Sequence, residues 1–388
     1  MAIPITAIER RHWRLGRLLI ENRWHIGRTR CAGGRAGLPV NIHLQPSLAC
    51  NLACRMCIQN GPAGYLQAGD PLVKARLPVE AWEKFLQEAA GHGPFVHVWG
   101  GEPLLYKEID ELVAAARRLD LVVMMTTNAV RGMDHLETLM KLDVLRISVD
   151  GPEDVHDSVR GRPGTFKAVV DLIRAVDEER RKRKNYWPRI VTNSLLIDET
   201  YQRLLDTVQI LADLPIDRCD LSLPMFTTEE RGRAYERILA KEWNARARAW
   251  KGFMIEGLTV DLDEMMRLLR RVQQNYSRTK FSLFPIGRIS GIPDWYQRLD
   301  QTFGFPRCHA VTDNMNVLPN GDVVLCNDLP DLVIGNITSQ TVDEIWNGDI
   351  ARSFRERLGK ALLPVCSRCC MLYTFPILKA ARQQRWLR

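Results

Sequence analysis

The sequence predicts an α/β protein, an open partial barrel of six strand–helix repeats followed by a small α+β module. Three observations carry this. From about residue 39, short apolar runs alternate with amphipathic helical patterns, as strands of a parallel sheet alternate with the helices that cover it. The alternation stops near Pro224 after six repeats, too few to close an eight-stranded barrel. Eight of the ten cysteines fall into two groups, one behind the first strand and one near the C-terminus, which marks two modules.

In chain order, VNIHL (40–44) is the first strand and the first cysteine loop follows it. A helix over 78–90 leads to FVHVW (95–99), and a helix over 108–118 to LVVMMT (121–126). A helix over 133–140 precedes LRISV (145–149), and a helix over 165–181 precedes a strand centred on Val191. The sixth unit is a helix over 200–212 and CDLSL (219–223). Residues 228–280 read as helical, and 281–307, with Pro285, Pro293 and Pro306, as a connector. In LPNGDVVLC, Asn320-Gly321 supplies a tight turn between apolar runs, the mark of a hairpin. The domains expected are a basic arm (1–38), the barrel (39–225), a helical, substrate-shaping linker (226–305), a cysteine module (306–375) and a basic tail (376–388).

No apolar run of about 18 residues exists, so no spanning helix is expected. The arginine-interrupted start lacks a secretory signal, and a cytoplasmic protein is expected. In a reducing compartment, ten cysteines point to metal or chemistry rather than disulfides. The net charge of +8 sits in the two ends and leaves the body near neutral, so nucleic-acid binding has no support. Arg10, Arg14 and Arg17 share a helical face. Such an arm either rests on an anionic lipid surface or packs across the bottom of the barrel, and the tail from Lys379 to Arg388 carries the same two readings.

Cys50-x3-Cys54-x2-Cys57 follows the first strand directly. Three thiolates this close can hold three irons of a cubane and leave the fourth open to another ligand. A zinc site of three cysteines and one histidine, His43 or His97, is the alternative.

Cys50-Asn51-Leu52-Ala53-Cys54-Arg55-Met56-Cys57 resembles the signature of the radical S-adenosylmethionine (SAM) enzymes, with Met56 where an aromatic residue is common. The resemblance implies a TIM-like partial (βα)6 barrel and a [4Fe–4S] cluster whose open iron chelates SAM. It also implies reductive cleavage to a 5′-deoxyadenosyl radical, fed by a flavodoxin- or ferredoxin-type electron donor. Trp99-Gly100-Gly101-Glu102-Pro103 matches the segment that holds the SAM amino group. Two glycines allow close approach of backbone to a ligand, and Glu102 offers a carboxylate to an ammonium group. Asn128 after the third strand, with Ser148 and Asp150 at the fourth, can bond a ribose or carboxylate, or cap the helices that follow. Arg160 resembles an arginine common in the family branch with extra clusters, and is either a binder of a carboxylate of SAM or substrate through its planar fork or a solvated surface side chain. Cys219, in the sixth strand, is a candidate hydrogen-atom donor to a substrate radical, or a small buried apolar side chain.

Cys308, Cys326, Cys366, Cys369 and Cys370, with the GNI (335–337) and EIW (344–346) segments, resemble the C-terminal extension of many radical SAM enzymes, SPASM in its long form and twitch in its short one. The long form has seven cysteines and two auxiliary clusters. Five cysteines imply one auxiliary [4Fe–4S] cluster, held by Cys308, Cys326, Cys366 and Cys369 with Cys370 as substitute or spare. A zinc ribbon from the same thiolates is the alternative.

The expected function is hydrogen abstraction from a small biosynthetic intermediate, sugar-bearing or lipid-linked, ending in epimerisation or dehydrogenation. Modification of a ribosomally made peptide or protein is the alternative within the family, and a zinc-binding regulatory or scaffold protein the alternative outside it. The preference for a small molecule rests on the shortness of residues 1–38, too few for a leader-binding domain.

Overall fold

The computed structural model describes residues 8–29, 33–66, 69–254, 259–276 and 280–373, with side chains of 21–29 excepted. The basic tail and Cys31 lie outside the described residues.

The strands are β1 (Asn41–Leu44), β2 (Phe95–Val98), β3 (Val122–Thr127), β4 (Val144–Ser148), β5 (Arg189–Leu195), β6 (Arg218–Ser222), β7 (Phe281–Phe284), β8 (Asn314–Val317), β9 (Asp322–Val324) and β10 (Val333–Asn336). They form one sheet in the order β10-β9-β8-β1-β2-β3-β4-β5-β6-β7. From β8 to β7 every neighbouring pair is parallel, and the hairpin β9–β10 continues antiparallel at the β8 edge. The six expected strands are all present, and two more parallel strands extend the sheet. One is β7, inside the stretch read as a connector. Its four residues are followed at once by Pro285, which cannot continue the ladder. The other is β8, from the C-terminal cysteine module, which covers the open edge of β1. An unpaired edge there would expose a row of backbone donors and acceptors.

Alternation along the strands gives the sheet two unlike faces. Ile42, Leu44, Val96, Val98, Val123, Met125, Leu145, Ile147, Ile190 and Leu221 are buried in the core. Amphipathic helices cover this face, among them Val79–Ala89, Ile109–Arg118, Thr165–Lys182, Leu204–Asp213 and Leu262–Asn275, each burying one apolar stripe. The other face is polar. His43 Nδ1 meets His97 Nδ1 at 3.1 Å, and His97 Nε2 meets Thr126 Oγ1 at 2.8 Å. Arg146 pairs with Asp220, which accepts from Ser282 at 2.6 Å, and Ser222 donates to Asn193 at 2.6 Å.

The N-terminal helix Arg10–Thr29 packs at the amino ends of the strands. Buried Arg11 and half-buried His12 bond the buried Asp143 carboxylate at 2.8 and 3.0 Å, just before β4. Arg14 donates to the carbonyls of Ala90, Leu119 and Asp120 ahead of β2 and β3. Of the two placements expected for this arm, packing across the bottom is the one seen for residues 10–20. No described helix is long and apolar enough to cross a membrane.

Candidate metal centres

The first cysteine loop leaves β1 at Leu44 and is pinned from three sides. Gly101 N donates to Ser47 O at 3.1 Å, and Glu102 N to Ala49 O at 2.8 Å. Arg55 N donates to Val159 O at 3.0 Å at the end of the helix Glu153–Arg160. A Cβ on Gly101 would stand 2.3 Å from Ala49 O, and one on Gly100, whose φ is +141°, 2.4 Å from Ser47 O. The two glycines therefore serve the close approach of the cysteine loop itself.

Glu102 is also engaged within the protein. Its buried carboxylate accepts from Leu104 N at 3.1 Å, Thr127 Oγ1 at 2.8 Å and Asn128 N at 2.8 Å. Burial raises its pKa, against the pull of these donors. It clamps the end of β2 to the end of β3, and Pro103 opens the short turn that it caps. The Glu102 carboxylate therefore has a structural task of its own, besides any contact that it makes with a ligand.

Each sulfur of the loop lies near a nitrogen donor. Asn60 N donates to Cys57 Sγ at 3.3 Å, Arg160 Nη1 to Cys54 Sγ at 3.6 Å, and Asn128 Nδ2 lies 3.9 Å from Cys50 Sγ. Asn128 also holds Asn51 Oδ1 at 2.8 Å. The carboxylate gripped by Arg160 belongs to the chain: Nε lies 2.7 Å from Asp150 Oδ2, while Asp150 Oδ1 accepts from Leu195 N at 3.1 Å. Arg160 and Asp150 thus form a pair within the protein that ends on a cysteine sulfur. Ser148 closes β4 on the polar face.

These residues fit a cubane. Burial raises the Cys50 thiol to about 11 and also raises Cys54, where Arg160 opposes it, so metal must displace protons to bind. Among the described residues no three His, Cys, Asp or Glu side chains meet at one point as a single ion requires. A cubane is ligated through separate irons, so its cysteines need no common point. The histidines considered for zinc bond each other and Thr126 instead.

Cys219 is misplaced for its expected role. It pairs in register with Thr192 near the start of β6, on the helix-covered face, and is fully buried beside Ser194. The strand that carries it points its carboxyl end toward the cysteine loop, and Cys219 lies at the other end.

Cys308, Cys326, Cys366 and Cys369 line one small cavity with Tyr235, Phe354 and other apolar side chains. Burial pushes Cys308 up to about 11 and Cys366 to about 12. Cys370 stands aside from this cavity. Its main-chain N–H donates to Met225 Sδ at 3.1 Å, and its thiol to Asp328 Oδ2 at 3.4 Å. Asp328, which also accepts from Cys369 at 3.1 Å, was not singled out in the sequence. Its only local signal is its position two residues after Cys326.

Comparison with known proteins places both groups. A family profile for the radical SAM superfamily matches residues 44–211, and one for the SPASM iron–sulfur cluster-binding domain matches 308–370. The chain is 34% identical over 145 residues to the sporulation killing factor maturation protein SkfB of Bacillus subtilis (strain 168), a match that spans 36% of this chain and 33% of that protein. It is 25% identical over 350 residues to the PqqA peptide cyclase of Xanthomonas euvesicatoria pv. vesicatoria (strain 85-10), covering 85% of this chain and 80% of that one. Streptococcus suis SuiB bound to precursor peptide SuiA shares the fold at a TM-score of 0.60 and 17% identity, over 90% of this chain and 74% of that one.

Proposed function

The chain belongs to the radical SAM superfamily and carries a SPASM domain, and on that premise we propose that it modifies a peptide, by dehydrogenation or bond formation. The observation that carries this reading is the similarity to a peptide cyclase along 85% of the chain, with a second relative named as a maturation protein of a sporulation killing factor. This replaces the expected sugar-bearing or lipid-linked substrate. Epimerisation through Cys219 is set aside, because that thiol lies on the helix-covered face.

Cys50, Cys54 and Cys57 would hold the SAM-binding [4Fe–4S] cluster, and Cys308, Cys326, Cys366 and Cys369 the auxiliary one. When bound, SAM and the first cluster supply a 5′-deoxyadenosyl radical that takes a hydrogen atom from the substrate. The chain's part is placement. The Gly100–Glu102 turn fixes the cysteine loop against β2, and Asn128 and Arg160 place N–H groups beside the Cys50 and Cys54 sulfurs. Hydrogen bonds of this kind tune cluster potentials. The polar face of the sheet lies behind the loop and can hold a polar chain through side-chain amides, hydroxyls and imidazoles. The first strand of the SPASM domain runs beside β1, so the two cysteine groups are carried by neighbouring strands.

The test is anaerobic reconstitution with iron and sulfide, followed by incubation with SAM, reductant and the short peptides encoded beside the gene. The reading expects 5′-deoxyadenosine together with one peptide lighter by a pair of hydrogens. Deoxyadenosine in step with a changed small metabolite, and no altered peptide, would count against it.

A further inference from the structure

The auxiliary cysteine cavity shares a wall with a second one. Cys308, Val311 and Leu358 line both it and a separate cavity of about 510 Å³. The polar lining of this second cavity is basic. Arg307 and His309 flank Cys308 in sequence, and Arg355 and Lys360 come from the helix Asp349–Lys360. Glu356 is the one acid in that lining among the described residues.

Three of these side chains, Arg307, Lys360 and Arg355, are poorly compensated. The side chains of Arg307 and Lys360 make no ion pair or hydrogen bond among the described residues. Arg355 is buried, donates to the carbonyls of Val311, Gly34 and Trp346, and lies 4.2 Å over the Trp346 ring. No carboxylate lies within ion-pair distance of it among the described residues, although buried charges are ordinarily paired. The body of the chain is close to neutral, so this basic lining is a local feature. Charge of one sign gathered in a concave site draws in partners of the other sign.

We propose that this cavity is the docking site of a small acidic one-electron carrier, a flavin or iron–sulfur protein, that exchanges an electron with the auxiliary cluster through the Cys308 wall. The carrier loses one electron and the cluster gains it. No bond forms or breaks and no proton moves. The proposal rests on the reading that Cys308 and its neighbours hold a cluster. A peptide substrate is a poorer occupant, because no residue of the Cys50 loop lines this cavity. Redox encounters of this kind use small interfaces and gain their speed from charge.

The test is stopped-flow reduction of the anaerobically reconstituted chain by reduced flavodoxin, read by bleaching of the visible iron–sulfur absorbance. Dithionite, a small reductant that needs no docking site, is the control. Arg307→Glu with Lys360→Glu should slow flavodoxin about tenfold, within the range that steering supplies, and flatten the salt dependence of the rate. Iron content and the dithionite rate should stay at wild-type values. Lys360→Glu alone, remote in sequence from any cysteine, should slow flavodoxin in the same direction. Unchanged flavodoxin rates in both variants would overturn the proposal, as would equal slowing with both reductants or loss of peptide binding with flavodoxin rates intact. Failure of the cysteines to load iron in the wild-type chain would instead defeat the reading beneath it.

Discussion

The guanidinium of Arg160 joins Asp150 to Cys54: its Nε lies 2.7 Å from the carboxylate and its Nη1 3.6 Å from the sulfur. A cation held this way places positive charge and an N–H on one ligand of the proposed cluster. Both favour the reduced, more negative state.

Arg160→Met should therefore move the midpoint potential of the first cluster to more negative values, as measured by EPR-monitored titration. It also leaves Asp150 buried and unpaired, which should cost about 3 kcal/mol of stability. Arg160→Lys should recover part of the potential, because it keeps the charge and loses the fork. A potential unchanged in Arg160→Met would show that the contact with Cys54 does not persist in the loaded protein.

Gly101→Ala tests the close approach of the second strand end to the cysteine loop. The added methyl would stand 2.3 Å from Ala49 O and 2.5 Å from Leu48 O, both main-chain atoms that cannot swing aside. The loop must shift, so bound iron should fall toward the auxiliary share while the circular dichroism spectrum stays native. Full iron loading would contradict the account of the two glycines.

Cys369 and Cys370 are adjacent in sequence and differ in place. Cys369 lines the cavity with Cys308, Cys326 and Cys366, whereas Cys370 does not. Cys369→Ala should lose the auxiliary cluster, seen as about half the iron of a chain with two four-iron cubanes. Cys370→Ala should keep it. The reverse pattern would exchange the two assignments.

Asp143 at the foot of β4 anchors the N-terminal helix. Burial alone would raise its pKa, but the His12 hydrogen bond and the charges of Arg11 and Arg117 prevail and lower it. A depressed carboxyl adds stability that is complete above its unfolded pKa, near 4, and is lost as the pH falls through the lower folded value. Asp143→Asn should cost about 3 kcal/mol at neutral pH, because it removes the buried carboxylate that Arg11 and Arg117 share and leaves buried Arg11 only the exposed Glu9. In urea unfolding of the metal-free chain, the gap to wild type should narrow below about pH 4. A gap independent of pH would sink this assignment.

The strands of the barrel were legible because each is a short apolar run bounded by turn residues. β7 was not: FSLF is four residues long and is followed by Pro285, in a stretch whose prolines read as a connector. The pairing of β8 with β1 joins Asn314 to Asn41, and no local pattern records a contact so distant in sequence. At the site, residue types were legible and their partners were not. Gly100 and Gly101 announce a close approach but not to what, and Glu102 announces a carboxylate but not that three donors already surround it. Cys219 shows the limit of reading a strand without its register. One residue of shift turns a side chain from the polar face to the core, and here it faces the helices. Asp328 became visible only when folding brought it against Cys369 and Cys370.

The most direct measurement is the yield of 5′-deoxyadenosine from SAM by the anaerobically reconstituted, reduced chain. The account predicts its formation by wild type and its loss in the Cys50→Ala, Cys54→Ala and Cys57→Ala triple variant, with the auxiliary iron retained. A wild-type chain fully loaded with iron that leaves SAM intact would contradict it.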